Sequence, residues 1–312
     1  MLKKTFILLV LTVAGLTTAT AQYDASLSHY FAQEPAFNPA ATGKVSKLNV
    51  TGTYALDFAG FEHNPRTMYI AADMPVYMLK HYHGVGLQMV SDKLGLFDHQ
   101  RLVIQYALKT RLWRGTLSIG IQTGMLSEKF NGSGTDTEEG NDPAIPTTDV
   151  SGSGVDLGIG IYYTHGDWYA GASVTHITAP TIDLGDTYSM KIDRTYYLTG
   201  GYNIRLANPF ITIKPTVLLR TDQLAFRADL SARAVYTHDK RTLYGGLTYS
   251  PSNSVTFLLG GSFHGVMLGY SYELYTSASI PGNGSHGLFV GYQHDINLIK
   301  RSKNKHKSVR IL

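Results

Sequence analysis

The sequence predicts an all-β protein, a transmembrane antiparallel up-and-down β-barrel of about fourteen strands, even in number, with both termini periplasmic. The first observation behind this is strict alternation. In the stretch from Gly154 to His176, Val155, Leu157, Ile159, Ile161 and Tyr163 alternate with Asp156, Gly158, Gly160, Tyr162 and Thr164. Trp168, Ala170, Ala172 and Val174 then alternate with Tyr169, Gly171, Ser173 and Thr175. A period of two places each set on its own strand face, one apolar and the other small and polar. His165-Gly166-Asp167 between the arms is a tight-turn sequence. Each arm has the ~9–11 residues that cross a bilayer at barrel tilt. Tyr163 and Trp168 flank the turn on the apolar side, where an interfacial aromatic girdle lies. Such a hairpin is expected to face lipid outside and water inside.

Composition is the second observation. Charged residues make up 16% of the 312 residues, with 32 Gly, 21 Tyr and no Cys. That charge fraction is low for a soluble domain, and alternation of lipid-facing with lumen-facing residues keeps mean hydropathy near zero. Without cysteine, an exported chain relies on its ladder rather than on disulfides, and thiolate chemistry is absent. No second run of ~18 apolar residues follows the leader, so a helical span is excluded.

In chain order, residues 1–21 read as a signal peptide. Lys3 and Lys4 precede the apolar stretch Phe6–Leu16, and Ala19-Thr20-Ala21 forms the cleavage site. Residues 22–45 form an N-terminal periplasmic or plug segment, 46–295 the barrel and 296–312 a basic periplasmic tail. Of the formal charge of +4, two cations sit in the leader and six in the tail, leaving an acidic body of about −4 that offers no footprint for nucleic acid.

The predicted strands are 46–56, 65–74, 83–93, 100–111, 115–128, 153–164, 168–177, 194–204, 211–220, 226–236, 241–250, 254–262, 265–275 and 285–295. Loop parity is the third observation. The connections 129–152, 178–193 and 276–284 are long and follow odd strands, whereas 112–114, 165–167 and 263–264 are short and follow even ones, the asymmetry of outer-membrane barrels. One connection breaks the pattern: 75–82 (PVYMLKHY) is long for a turn. Pro215 cannot donate to a ladder and implies a bulge or late entry in its strand.

Chemistry is sparse. His81 and His83 lie on one face of an extended segment without a third metal ligand placed by sequence. Asp136, Glu138, Glu139 and Asp142 lack EF-hand spacing and read as a solvated acidic outside loop. GSGVDLG at 152–158 precedes a strand rather than a helix, which excludes a dinucleotide fingerprint. Arg227, Asp229 and Arg233 share an inward strand face and are expected to form a lumen charge network. No nucleophile set assembles, so the expectation is a non-enzymatic protein without cofactor or metal.

Several stretches, in order, resemble the PorP/SprF family of outer-membrane proteins of the Bacteroidetes type IX secretion system. They are QYDASLSHYFAQEPAFNPAATG from Gln22 (with Asn38, Pro39, Ala40 and Gly43), GVGLQMVSDKLGLF at 84–97, IKPTVLLR at 213–220, MLGYSYEL at 267–274 and GSHGLFVGYQHDI at 284–296. Ala41-Thr42 and Gly287 depart from the family's usual residues, and the tail runs past the last strand. The resemblance implies an outer-membrane location and export or surface anchoring of proteins with C-terminal sorting domains, sometimes gliding motility. It implies periplasmic lipoprotein or peptidoglycan-associated secretion subunits as further partners, alongside outer-membrane lipid. Partner-binding residues are then expected in the acidic loop (Asp136, Glu138, Glu139, Asp142) and in the tail (Lys300, Arg301, Lys303, Lys305). The alternative is a FadL-like channel for hydrophobic solutes, which would require an apolar lumen pocket.

Overall fold

The computed structural model describes residues 24–61, 63–134, 148–185, 188–251, 253–276 and 283–296. Its strands are β1 (Lys47–Leu56), β2 (Arg66–Met78), β3 (His81–Leu94), β4 (Phe97–Leu112), β5 (Gly115–Phe130), β6 (Val150–His165), β7 (Trp168–Thr175), β8 (Thr181–Leu184) and β9 (Tyr188–Lys191). There follow β10 (Thr195–Tyr202), β11 (Ile204–Arg205), β12 (Ile211–Thr221), β13 (Phe226–His238), β14 (Arg241–Ser250), β15 (Ser254–Phe263), β16 (Val266–Tyr275) and β17 (Ser285–Asp295). All but β8 and β9 belong to one antiparallel sheet in sequential order. It closes on itself because β1 pairs with β17 and β10 pairs with β12. Since β10 and β11 are two pieces of one staircase against β12, the sheet is a closed barrel of fourteen strands.

Alternation is the physical basis of the wall. Along β4, Arg101, Val103, Gln105 and Ala107 are buried inward, while Leu102, Ile104, Tyr106 and Leu108 are exposed outward. On β6 the outward Val155, Leu157, Ile159 and Ile161 are exposed and the inward Asp156 and Tyr162 are buried. An apolar belt on this scale is untenable in water and defines a lipid-facing surface. At the end carrying the short turns, Tyr77, Tyr82, Trp113, Trp168, Tyr202 and Tyr236 are exposed on the outside, in the position of an interfacial girdle.

The short turns are tight. Leu79-Lys80, Trp113-Arg114 and His264-Gly265 have both central residues at positive φ, the twist that suits two-residue hairpins. The long connections lie at the opposite end, although 95–96, 222–225 and 251–253 on that side are also brief.

Three sequence expectations need correction. The 75–82 connection is strand rather than a long turn: β2 and β3 stay in register from Arg66↔Lys93 to Met78↔His81, and only Leu79-Lys80 turns. Pro75 is tolerated because β1 stops pairing with β2 at Asn49↔Asp73, so beyond it one flank of β2 has no ladder to break. Pro215 causes neither a bulge nor late entry, since β12 runs unbroken against β13 with Pro215 opposite Ala232. The missing N–H is accommodated by the other neighbour, which breaks at Asn203 between β10 and β11 and resumes in the same register. The inside of the hairpin β6–β7 does not face water, because the N-terminal segment fills it.

The 176–194 connection also turns inward. Its hairpin β8–β9 buries Ile182 and Leu184, with Ile192, against Leu126 of β5 and covers part of the long-loop mouth. The chain enters the lumen at that mouth, so the described N-terminal end lies opposite the end of β17 rather than on the same side as the sequence predicts: Asp24 contacts His176, Arg101 and Tyr197, all near the long-loop end. It then descends through three 3-10 turns (Tyr30–Ala32, Glu34–Ala36 and Pro39–Ala41) to β1 at the short-turn end, where β17 also finishes.

Candidate functional site: the filled lumen

A buried segment with little regular structure leaves backbone groups that need partners. Here the barrel wall supplies them. Gln105 donates to Pro35 O (2.7 Å), Arg101 to Ala36 O (3.2 Å), Ser173 to Phe37 O (2.6 Å) and Ser118 to Ala40 O (2.6 Å). Lys109 donates to the Gly43 carbonyl, and the Gly43 N–H donates to Asp73 (2.8 Å), itself held by the Asn49 side chain (2.9 Å). The polar inward residues are therefore the docking surface of residues 24–44.

The Asn38-Pro39-Ala40 corner sets the depth. The Asn38 side chain accepts the Ala40 N–H (2.9 Å) and donates to Ile161 O (3.0 Å) and Ala172 O (3.4 Å), bridging β6 and β7. Such close approach needs bare backbone opposite. A Cβ on Gly160 would overlap the Asn38 side chain, one on Gly120 would overlap the Pro39–Ala40 backbone, and one on Gly171 would lie 2.9 Å from Asn38 Nδ2. Below it, a Cβ on Gly84 would strike the Thr42 carbonyl. These glycines serve packing rather than a water-lined channel.

Apolar contacts complete the seat. Phe37 and Tyr30 cluster with Tyr197 and Leu218, and the Tyr30 hydroxyl donates to Ser231 (3.0 Å) and lies 3.0 Å from the Thr216 hydroxyl. Lys44 donates to Glu34 (2.6 Å) and to the Tyr162 hydroxyl (2.6 Å), and its ammonium lies over the Tyr169 ring at 4.4 Å.

At the long-loop mouth His176 is clamped between two carboxylates, Nδ1 at 3.0 Å from Asp156 and Nε2 at 3.1 Å from Asp24. Burial alone would lower its pKa, but the Asp24 charge and the bonds to Asp156 and Asp24 outweigh burial and raise it to about 9. Burial likewise opposes the Asp24 charge, yet His176, Arg101 and Tyr197 hold its carboxyl well below the usual carboxylate range. The doubly bonded imidazolium fastens the start of the segment to the wall.

Of the site residues expected from sequence, Arg227 and Asp229 are brought together at 2.8 Å, and Arg227 also reaches Glu273 (3.2 Å). Ser250 donates to Asp229 and Ser254 to Glu273. Arg233 lies outside that cluster, its guanidinium stacked 3.2 Å from the Phe31 ring centre. Both His83 nitrogens are engaged, by the Tyr106 hydroxyl (2.6 Å) and Met78 O (2.9 Å), so the His81/His83 pair is not poised for a metal. Among the described residues no cluster of three or more metal-ligating side chains is found. Asp136, Glu138, Glu139 and Asp142, and Lys300, Arg301, Lys303 and Lys305, lie outside the described residues.

Sequence reasoning missed Gln105, Ser118, Ser173, Asp24 and His176. The available signal was the inward glycines, Gly84, Gly120, Gly160 and Gly171, recurring on neighbouring strands beside an unassigned Asn-Pro-Ala segment. The described charges are polarised as well. In the short-turn half Lys and Arg outnumber Asp and Glu, and in the long-loop half the acids outnumber the cations.

A closed sheet with an apolar exterior and a polar, filled interior defines an outer-membrane β-barrel protein. Within that class the chain belongs to the PorP/SprF family of type IX secretion system membrane proteins, whose family model matches residues 19–292. No curated protein sequence matches it. Among solved structures it is similar to a monoaromatic hydrocarbon channel, CymD, with 10% identity and a TM-score of 0.47 over 85% of this chain and 93% of that one. A Pseudomonas aeruginosa FadL homologue gives 12% identity and a TM-score of 0.47, covering 83% and 93%. The P. putida toluene transporter TodX gives 10% and 0.46 over the same shares.

Proposed function

We propose that this protein is a non-enzymatic docking component of the type IX secretion system. Its long-loop face receives exported proteins with C-terminal sorting domains at the cell surface. Its short-turn face, with the basic tail, engages periplasmic secretion or motility subunits. The single observation that carries this is family membership over 19–292. The lumen is consistent with it: residues 24–44 are bonded to the wall at every depth, so binding rather than conduction is the natural use of the fold. The opposite charge of the two halves also suits two different partners, one at each face. In this reading residues 1–21 direct export, the start of β1 and the end of β17 face the periplasm with the short turns, and the acidic loop with Asp136, Glu138, Glu139 and Asp142 contributes to cargo reception.

The test is a deletion strain complemented with the intact chain or with a chain whose residues 132–148 are replaced by a short Gly-Ser turn. Deletion should remove a sorting-domain cargo from the surface fraction, and the loop variant should assemble as a barrel yet retain less cargo. Full surface display in the deletion strain would refute the role, and full display with the loop variant would remove the loop from it.

A further inference from the structure

At the short-turn end, beneath the N-terminal segment, the lumen keeps a cavity of about 260 Å³. Lys214 and Arg233 both line it, and they stand directly opposite each other across the β12–β13 ladder. Like charges in directly opposed positions destabilise a sheet unless something neutralises them. The acids on the cavity wall are committed elsewhere. Glu34 is bonded to Lys44 and Tyr162, and Asp73 to the Gly43 N–H and the Asn49 side chain. Among the described residues neither Lys214 nor Arg233 has a carboxylate within ion-pair distance. Arg233 is 9% exposed, and its Nε–H is buried without an acceptor; the hydroxyl of Tyr244, on the same cavity wall, is also unpartnered. Two unmet donors and an unneutralised ammonium lining one cavity are costly without an acceptor.

We infer that this vestibule binds an oxyanion, a carboxylate or a phosphate, presented from the short-turn side. The Lys214 ammonium, the Arg233 Nε–H and the Tyr244 O–H would each donate to it. A guanidinium and an ammonium together suit either group, the guanidinium by its planar donors and the ammonium as a point charge. Phe31, which also lines the cavity, stacks on the Arg233 guanidinium and fixes its plane, so the donor is already oriented. The site is independent of the docking role proposed above, because it rests on the cavity alone.

The experiment titrates the purified full-length barrel, in a maltoside detergent at constant chloride, with inorganic phosphate and separately with glutarate, reading heats of binding. At least one anion should bind saturably. Lys214→Gln should weaken it at least tenfold, and Tyr244→Phe, which removes one oxygen, should weaken it severalfold. Lys129→Gln, whose partner Asp149 is at the other mouth, should leave it unchanged. Tighter phosphate binding assigns the site to phosphate groups, tighter glutarate binding to carboxylates. No saturable binding of either anion overturns the inference, as does undiminished affinity in both Lys214→Gln and Tyr244→Phe with heat-modifiable mobility retained.

Discussion

Replacing Gly160 with alanine places a methyl group where the Asn38 side chain now lies, so the corner must lift from the wall. Two hydrogen bonds to the wall are lost, those to Ile161 O and Ala172 O at 3.0 and 3.4 Å, while the bond from the Ala40 N–H is internal to the corner. At a net ~0.5–1.5 kcal/mol each, with the longer counted low, the loss is about 1–2 kcal/mol. It falls on the segment rather than on the ladder, because the β5–β6 and β6–β7 pairings do not involve Asn38. Local opening should then become roughly 5- to 30-fold more frequent, at about 1.4 kcal/mol per factor of ten. Hydrogen exchange of the amides of Asn38 and residues 40–43 reads this directly, since local opening exposes them. Gly245→Ala is the control: its added Cβ meets Leu259 Cδ2 at 3.5 Å and Leu258 O at 3.9 Å, both ordinary contacts. Unchanged exchange across 38–43 in Gly160→Ala would refute the argument that the wall glycines seat the segment. An equal rise in the strand amides would show instead that segment and barrel open as one unit.

Ile159→Arg puts a charge on the outward face of β6 near mid-membrane and should cost about 2–4 kcal/mol of barrel stability. Gly158→Ser points inward, and its Cβ meets only the movable Gln122 side chain, so loss of heat-modifiable mobility should be much milder; equal loss in both variants contradicts the facing of β6. With the His176 pKa raised to about 9 from 6.5, the clamp on Asp24 contributes fully below pH ~6.5 and is lost as pH rises through 9. Protease protection of the 24–37 stretch should accordingly fall between pH 7 and 10 in the parent chain but stay flat in His176→Gln, and matching profiles would dismiss the clamp. Truncation after Ile299 removes all six tail cations, so co-purification of periplasmic subunits should drop at low salt and converge with the parent at moderate salt, where screening shortens the reach to about a Debye length. Equal recovery at both salts would make the tail a bystander.

How far the sequence could be read follows from what each residue pattern encodes. Alternation such as Leu117, Ile119 and Ile121 against Ser118, Gly120 and Gln122 encodes which face looks outward, and with loop parity that suffices for the strand number. It does not encode what occupies the inside. Ser118 and Gln122 read as water-facing, yet Ser118 binds the Ala40 carbonyl and Gln122 meets Gln105, whose amide holds Pro35. Ala40 lies 78 residues from Ser118 and Pro35 lies 70 from Gln105, and they meet only through the closed barrel. Pro215 misled for a related reason. It lacks a donor, as Pro75 does, but whether a donor is needed depends on where the neighbouring strand ends or breaks. Arg227 and Asp229, two apart on one strand, face the same way and do pair, whereas the next inward cation, Arg233, finds Phe31 of the N-terminal segment instead. Local periodicity carries a facing; it carries no partner.

The path of the N-terminal segment bears on how the molecule is put together. The chain runs from Asp24 at one mouth to Lys47 at the other before any strand begins, and the sheet closes only when β1 meets β17, the two strands farthest apart in sequence. Closing so long a loop carries a heavy entropic penalty for a chain searching alone. Residues 24–44 offer a way to share it. They are tethered directly to β1 and bind side chains of β4, β5, β6, β7, β12 and β13, so those contacts hold the start of β1 against the rest of the wall. In the finished molecule the segment lies as a mandrel inside the wall. Contacts of this kind would draw the seam shut from within, filling the interior as the barrel is sealed.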